Sequence, residues 1–246
     1  MPKKRKRQTI TTSDAIERID RMVPILYRNV VNAIRIEATL EAGNEVVGSM
    51  SDKGFSGAGA YNAIKQSLGY DLAMHLARLY DIGSRRRHPN TSDVASIPLL
   101  VRLLRQKRCQ DALKARARDW VPGDRWAAPM YERDCEEALR RASGSYSATF
   151  SGKYGRSGLK TLKEFRDTFM AHSLLNDTGA NPRYNHLFRL TDAARDFVEQ
   201  ARLAATGTNS SLLRQEKAFR HEAVRFWSKA LLGADRDFEL DFELDV

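Results

Sequence analysis

The chain has 246 residues, 42% of them hydrophobic and 29% charged, with a formal net charge of +10 and a sequence pI near 9.7. This is a globular composition with ample length for a buried core, and it contains no run of about 18 apolar residues able to span a bilayer. The positive excess points to a polyanionic partner, nucleic acid first, with a solvated basic surface as the plain alternative.

The chain opens on PKKRKR (2–7). No apolar segment follows, so this reads as a nucleic-acid-binding or nuclear-import arm and not as a secretory leader. TTSD then reads as a helix N-cap. Behind it Ile16, Ile19, Val23, Leu26, Val30, Ala33, Ile34 and Leu40 fall near helical spacing, with Pro24 expected to kink the helix or begin a second piece. Five glycines in residues 43–59 predict a flexible linker. The GFSGAG stretch inside it lacks a preceding strand and the Lys-Ser/Thr of a phosphate loop.

The next helix carries Ile64, Leu68, Leu72, Leu76 and Leu79 on one stripe, consistent with amphipathic packing. An exposed loop, SRRRHPNTSD, leads into VASIPLLVRLLRQKRCQDALKARARDW, which reads as one helix with leucines on one face and cations over the remainder. The helix cations Arg102, Arg105, Lys107, Arg108, Lys114, Arg116 and Arg118, with the arginine loop just upstream, form a candidate phosphate-tracking surface, and Arg85, Arg86, Arg87, Arg102, Arg105, Lys107 and Arg108 are the RNA contacts it predicts. A solvated face is the other reading of the same residues. VPGDRWAAP is a turn-rich connector, and MYERDCEEALRRASGSYSATFSGKYGRSG reads as a helix followed by a Ser/Gly-rich loop. SGKYG lacks P-loop spacing.

LKTLKEFRDTFMAHSLL places Leu159, Leu162, Phe165, Phe169 and Met170 on a further apolar helical face. Another amphipathic helix follows and ends at Gly207, a helix-stop glycine. The last helix is SLLRQEKAFRHEAVRFWSKALLG, and behind it lies the acidic repeat DRDFELDFELDV. No alternating strand pattern occurs, so the expected fold is an all-α bundle of five to seven helices. The expected organisation is a basic arm (1–12), a bundle (13–205), a C-terminal helix packing on it (206–234) and an acidic tail (235–246). Cys109 and Cys135 lack CxxC spacing, which argues against a disulfide framework or zinc site and for a reducing cytoplasm. The histidines have no metal-ligand spacing and the acids form no paired motif, so no metal or cofactor is expected.

EFRDTFMAHS (164–173) holds the most informative pair. Arg166 and His172 are six positions apart, about 240° of rotation and about 9 Å of rise on a straight helix. They do not share a stripe, so they converge only through the reach of Arg, a loosened helix end or a second subunit. Chemically, an imidazole shuttles protons near neutral pH while a guanidinium holds a phosphodiester and its developing charge. With RNA the 2′-hydroxyl is the nucleophile, and Asp167 beside the pair can orient either partner. A histidine that merely caps a helix end is the structural alternative for His172.

RDTFMAHS, set after YDLAMHLARLYD and before YNHLFRLTDAARDFV, resembles the motif of the HEPN superfamily, most closely its abortive-infection branch of AbiU-type proteins. The resemblance covers residues 14–204. It implies a HEPN-like up-and-down helical bundle, here with an additional C-terminal helix, that dimerises with two motifs facing across a cleft. The implied activity is a metal-independent endoribonuclease in phage defence or as a toxin, with Arg166, Asp167 and His172 as its catalytic residues. Five residues separate Arg from His here, where four is commonest in the superfamily. Leu174 stands where some toxin members have a Tyr. Three readings follow: such an RNase acting on RNA as a homodimer with a composite site, a non-catalytic nucleic-acid-binding module, or the HEPN half of a pair with an antitoxin or defence-system partner protein.

Overall fold

The computed structural model describes residues 10–50, 57–81, 94–151, 155–165 and 183–233. Among them lie eight α-helices and no strand: α1 Thr12–Gly48, α2 Ala58–Leu79, α3 Ile97–Leu104, α4 Lys107–Ala117, α5 Ala128–Ser151, α6 Gly155–Phe165, α7 Tyr184–Thr206 and α8 Leu212–Leu232. A single 3-10 turn, Arg125–Ala127, precedes α5. The fold is all-α. No helix among the described residues is long and apolar enough to cross a membrane.

The chain divides into two compact units, Met1–Val31 with Ala73–Ser210, and Asn32–Leu72 with Ser211–Val246. In the first unit α5 and α7 pack most extensively, and α3, α4 and α6 also lie on α5. Cys135, Ala138, Leu139 and Ala142 line one stripe of α5, and Ala194, Phe197, Val198, Ala201, Ala204 and Ala205 are buried along α7. The i, i+3, i+4, i+7 spacing makes each stripe, and its small side chains let two helix axes come close. Tyr80 is buried and donates its hydroxyl to Leu190 O at 3.0 Å. Arg116 donates to both carboxylate oxygens of Asp20 at 2.8 and 2.9 Å and also to Ala205 O, tying α4 to α1 and to the end of α7.

The second unit closes over Ala42, Val46, Tyr61, Ala223, Val224 and Trp227. Trp227 donates its indole N–H to Thr39 O at 2.9 Å and meets Tyr61 edge-on at 5.3 Å. Outside this core Arg220 reaches Glu45 at 2.8 Å and Glu41 at 3.5 Å, and Arg35 lies over the Phe219 ring.

Several local expectations change, and the eight helices among the described residues exceed the expected five to seven. First, of the kink or restart expected at Pro24, the restart does not occur: α1 runs through it as one helix. Proline removes a helical hydrogen bond and crowds the preceding turn, but Ile19, Met22, Val23 and Leu26 on either side are all buried, so packing carries the helix across. Second, α1 continues past Gly43 to Gly48. A Cβ on Gly43 would sit 3.0 Å from Trp227 Nε1 and 3.2 Å from Tyr61 Cε2; this glycine serves close packing, not flexibility. On α2, Ile64 is 45% exposed although it shares the predicted stripe with the buried Leu72 and Leu76, because Tyr61 supplies that end of the helix to the core.

Third, the single basic helix is two. Gln106 is extended (φ −78, ψ 123) between α3 and α4. Its side chain donates to Arg102 O and accepts from Arg108, which offsets the break. Fourth, the Ser/Gly-rich stretch after Ala142 stays helical to Ser151. Ser147 and Thr149 donate their hydroxyls to the carbonyls of Ser143 and Ser145, both at 3.0 Å, the i−4 bonding that lets these residues sit inside a helix. The caps read from the sequence are present. Thr11 Oγ1 accepts from Asp14 N while Asp14 Oδ2 accepts from Thr11 N, and the same bonding holds the Asp14 carboxyl below its usual range. Gly207 closes α7 with φ 68.

Both cysteines are free and fully buried, not in the polar surroundings their sequence neighbours suggest. Burial pushes the Cys109 thiol upward and the Cys135 thiol up to about 11, beyond what the nearby cations offset. Both thiols therefore stay protonated at mildly alkaline pH and react as buried hydrophobes do. A thiol reagent is expected to leave the folded chain unlabelled and to label both cysteines in denaturant; labelling of the native chain at the rate of a free thiol would contradict this.

Candidate nucleic-acid interface

Arg166, Asp167 and His172 lie outside the described residues, and so do Arg85, Arg86 and Arg87. The frame on either side of the first three is described. Leu162 and Phe165 at the end of α6 are 2% and 3% exposed. At the start of α7, Leu187 is buried and the Tyr184 and Phe188 rings lie 6.1 Å apart. Both α6 and α7 pack on α5, so the segment 166–182 joins two helices seated on the same partner.

The other four predicted phosphate contacts gather around the break between α3 and α4, where they have different duties. Arg105 donates to Ser143 O at 3.0 Å and Ser147 Oγ at 2.6 Å, with its guanidinium over the Tyr146 ring at 5.5 Å. Arg108 binds Gln106 Oε1 through two nitrogens and donates to Ile10 O at 2.5 Å, holding the residue ahead of the α1 cap against α4. These two are structural contacts as well as surface cations. Lys107 pairs with Asp111 at 3.0 Å across one helical turn, with both side chains largely exposed, an arrangement that solvent screens and that adds little to stability. Arg102 is exposed.

Sequence reading missed a groove of about 300 Å³ between α4 and α5, lined by Gln110, Lys114, Glu136, Leu139, Arg140 and Ser143. Lys114 is 17% exposed and touches Glu136 at 3.5 Å. Glu137 accepts from both Arg140 and Arg141, which hold its carboxyl down to about 2. The arginines of α5 sit in a sequence with as many acids, CEEALRRA, so no local charge excess marks them; only the packing of α4 on α5 places Arg140 beside Lys114. A second groove, of about 360 Å³, runs along α1 past Asp14, Glu17, Arg18, Arg21, Met22 and Ile25, and its charges balance. Among the described residues no group of three or more His, Cys, Asp or Glu side chains could hold a metal ion.

The chain is all-α, and in sequence its Arg166–His172 motif follows α6 and precedes α7. It matches the HEPN_AbiU2 family, AbiU2, over residues 16–226. The chain belongs to that family. It is thereby an abortive-infection-related HEPN module. The match to AbiU2 begins in the second turn of α1 and extends into α8, so it takes in α4, α5, the candidate motif and residues of both compact units. No curated protein and no solved structure matches the chain.

Proposed function

We propose that this AbiU2-family chain is a metal-independent endoribonuclease that cleaves RNA through the RNA's own 2′-hydroxyl. The observation that carries the reading is the Arg166–His172 pair inside the region matched to a HEPN family. Arg166 holds the scissile phosphate and the charge that builds on it, and His172 moves the protons onto and off the reacting oxygens. Asp167 orients the pair. No cofactor is called for, because the substrate supplies the nucleophile. The positive excess of the chain supports a polyanionic substrate.

The spacing of the pair favours a homodimer in which each motif is completed by the other. Light scattering that found a strict monomer with full activity would remove this composite site. Cleavage of this kind serves phage defence, by abortive infection or as a toxin, where an antitoxin or another defence-system protein holds it in check.

The test compares His172→Ala and Arg166→Ala with the parent on single-stranded RNA. General acid–base catalysis is worth about 10²–10⁴-fold, so His172→Ala is expected to lose cleavage by that factor while binding RNA as the parent does. Arg166→Ala should lose both cleavage and part of the binding. If both variants bind and cut like the parent, the pair is structural. If the parent binds RNA in a salt-dependent way and never cuts it, the non-catalytic binding module is the correct reading.

A further inference from the structure

We infer that the groove between α4 and α5 is a seat for the phosphate backbone of the RNA strand, with Lys114 and Arg140 as its cations and Gln110 and Ser143 as its neutral donors. The inference rests on the RNA reading above and adds residues to it. Four donor types converge on one groove of about 300 Å³: an ammonium, a guanidinium, a carboxamide and a hydroxyl. Gln110 is fixed by one bond, Nε2 to Leu104 O at 3.0 Å, which leaves its second amide hydrogen to give. Lys114 is held by a mostly covered stem, with its side chain only 17% exposed. Such cations lose little freedom when an anion arrives.

The charges favour an anion. Arg105, whose guanidinium bonds the Ser143 carbonyl, lies at the groove's Ser143 side. Counting Arg105, Lys114, Arg140 and Arg141 against Glu136 and Glu137 leaves four cations to two acids, a surplus of two. Glu137 is shared between two arginines. Glu136 is 68% exposed and touches Lys114 only at 3.5 Å, a contact that an incoming phosphate displaces at little cost. Arg140 is an exposed side chain whose pair contributes little to stability, and Lys114→Gln and Lys114→Arg both keep an extended stem in place of the covered one, so these replacements should leave the fold intact.

The seat predicts a salt signature. Each phosphate contact on a single strand contributes about 0.7 to the slope of log affinity against log salt. The probe is a fluorescently labelled single-stranded 2′-O-methyl RNA, which has no free 2′-hydroxyl and cannot be cut, and the readout is anisotropy on the full chain across a salt series. Lys114→Gln and Arg140→Gln are each expected to weaken binding about 5-fold at low salt and to flatten the slope by about 0.7. Lys114→Arg should keep the parent's slope. Lys217→Gln, an exposed position on α8, removes the same charge from a residue that does not line the groove and should leave the slope alone. If the two groove variants match Lys217→Gln, or if the parent does not bind the probe, the seat does not exist. A chain that binds this probe through Lys114 and Arg140 but never cleaves natural RNA would overturn the nuclease and keep the seat.

Discussion

Gly207→Ala is expected to cost the first unit about 2–5 kcal/mol, a large share of the roughly 5–15 kcal/mol that holds a typical domain folded. Two causes add. Gly207 has φ 68 and closes α7 by donating its N–H to Leu203 O at 2.8 Å; a side chain there costs about 1–2 kcal/mol. An added Cβ would also lie 2.6 Å from Cγ and Cδ2 of Trp120. Those atoms are at the root of the indole, which is itself set beside Tyr131 at 6.2 Å, so the ring moves only with its neighbours. Forced overlap of this kind costs about 1–3 kcal/mol more. Gly233 separates the two causes, since it has φ 65 and no described atom within 4 Å of its Cβ position. Gly233→Ala should cost only the conformational part, about 1–2 kcal/mol. Denaturant titration of both variants checks this, and equal losses would show that Trp120 yields freely.

Trp227→Ala should open the second unit, at a cost of about 3–5 kcal/mol. Trp227 is 3% exposed in a core that, among the described residues, gathers six buried side chains. It also supplies the donor for Thr39 O and rings against Tyr61 at 5.3 Å and Phe226 at 5.1 Å. Removing it leaves a cavity beside Gly43, which has no side chain to fill it. Trp227→Phe keeps much of the apolar area and loses the hydrogen bond, a loss of about 1–2 kcal/mol. Amide hydrogen exchange is the direct measurement. Protection over residues 212–232 should fall sharply in Trp227→Ala and partly in Trp227→Phe. Unchanged protection in the alanine variant would mean that α8 is held by something other than this core.

The helices were legible where the apolar spacing was strong and the caps were conventional. Residues around Leu187, Leu190, Ala194 and Phe197 announce α7, and Gly207 announces its end, because a helix stop needs the left-handed conformation that glycine takes freely. Sequence misled where a tertiary contact overrode local preference. Gly43 looks like a breaker and is a packing surface for an indole; Ser147 and Thr149 look like loop residues, yet their hydroxyls bond carbonyls within α5. The break at Gln106 has no glycine or proline to mark it. Beside it Arg105 reaches across to α5, a contact that no reading of one stretch of sequence can see. The same limit applies to the interface. The Arg166–His172 motif was legible because its spacing is local, whereas Lys114 and Arg140 are 26 positions apart and become neighbours only when α4 lies on α5.

The most direct test of the nuclease is the chemistry of its products. The parent chain is incubated with total RNA in EDTA and the new fragment ends are mapped. Attack by the 2′-hydroxyl predicts cleavage without divalent metal, leaving 2′,3′-cyclic phosphates on one side and 5′-hydroxyls on the other. Cleavage that needs an added divalent cation and leaves 3′-hydroxyls and 5′-phosphates would contradict the account, as would RNA that is bound and left whole.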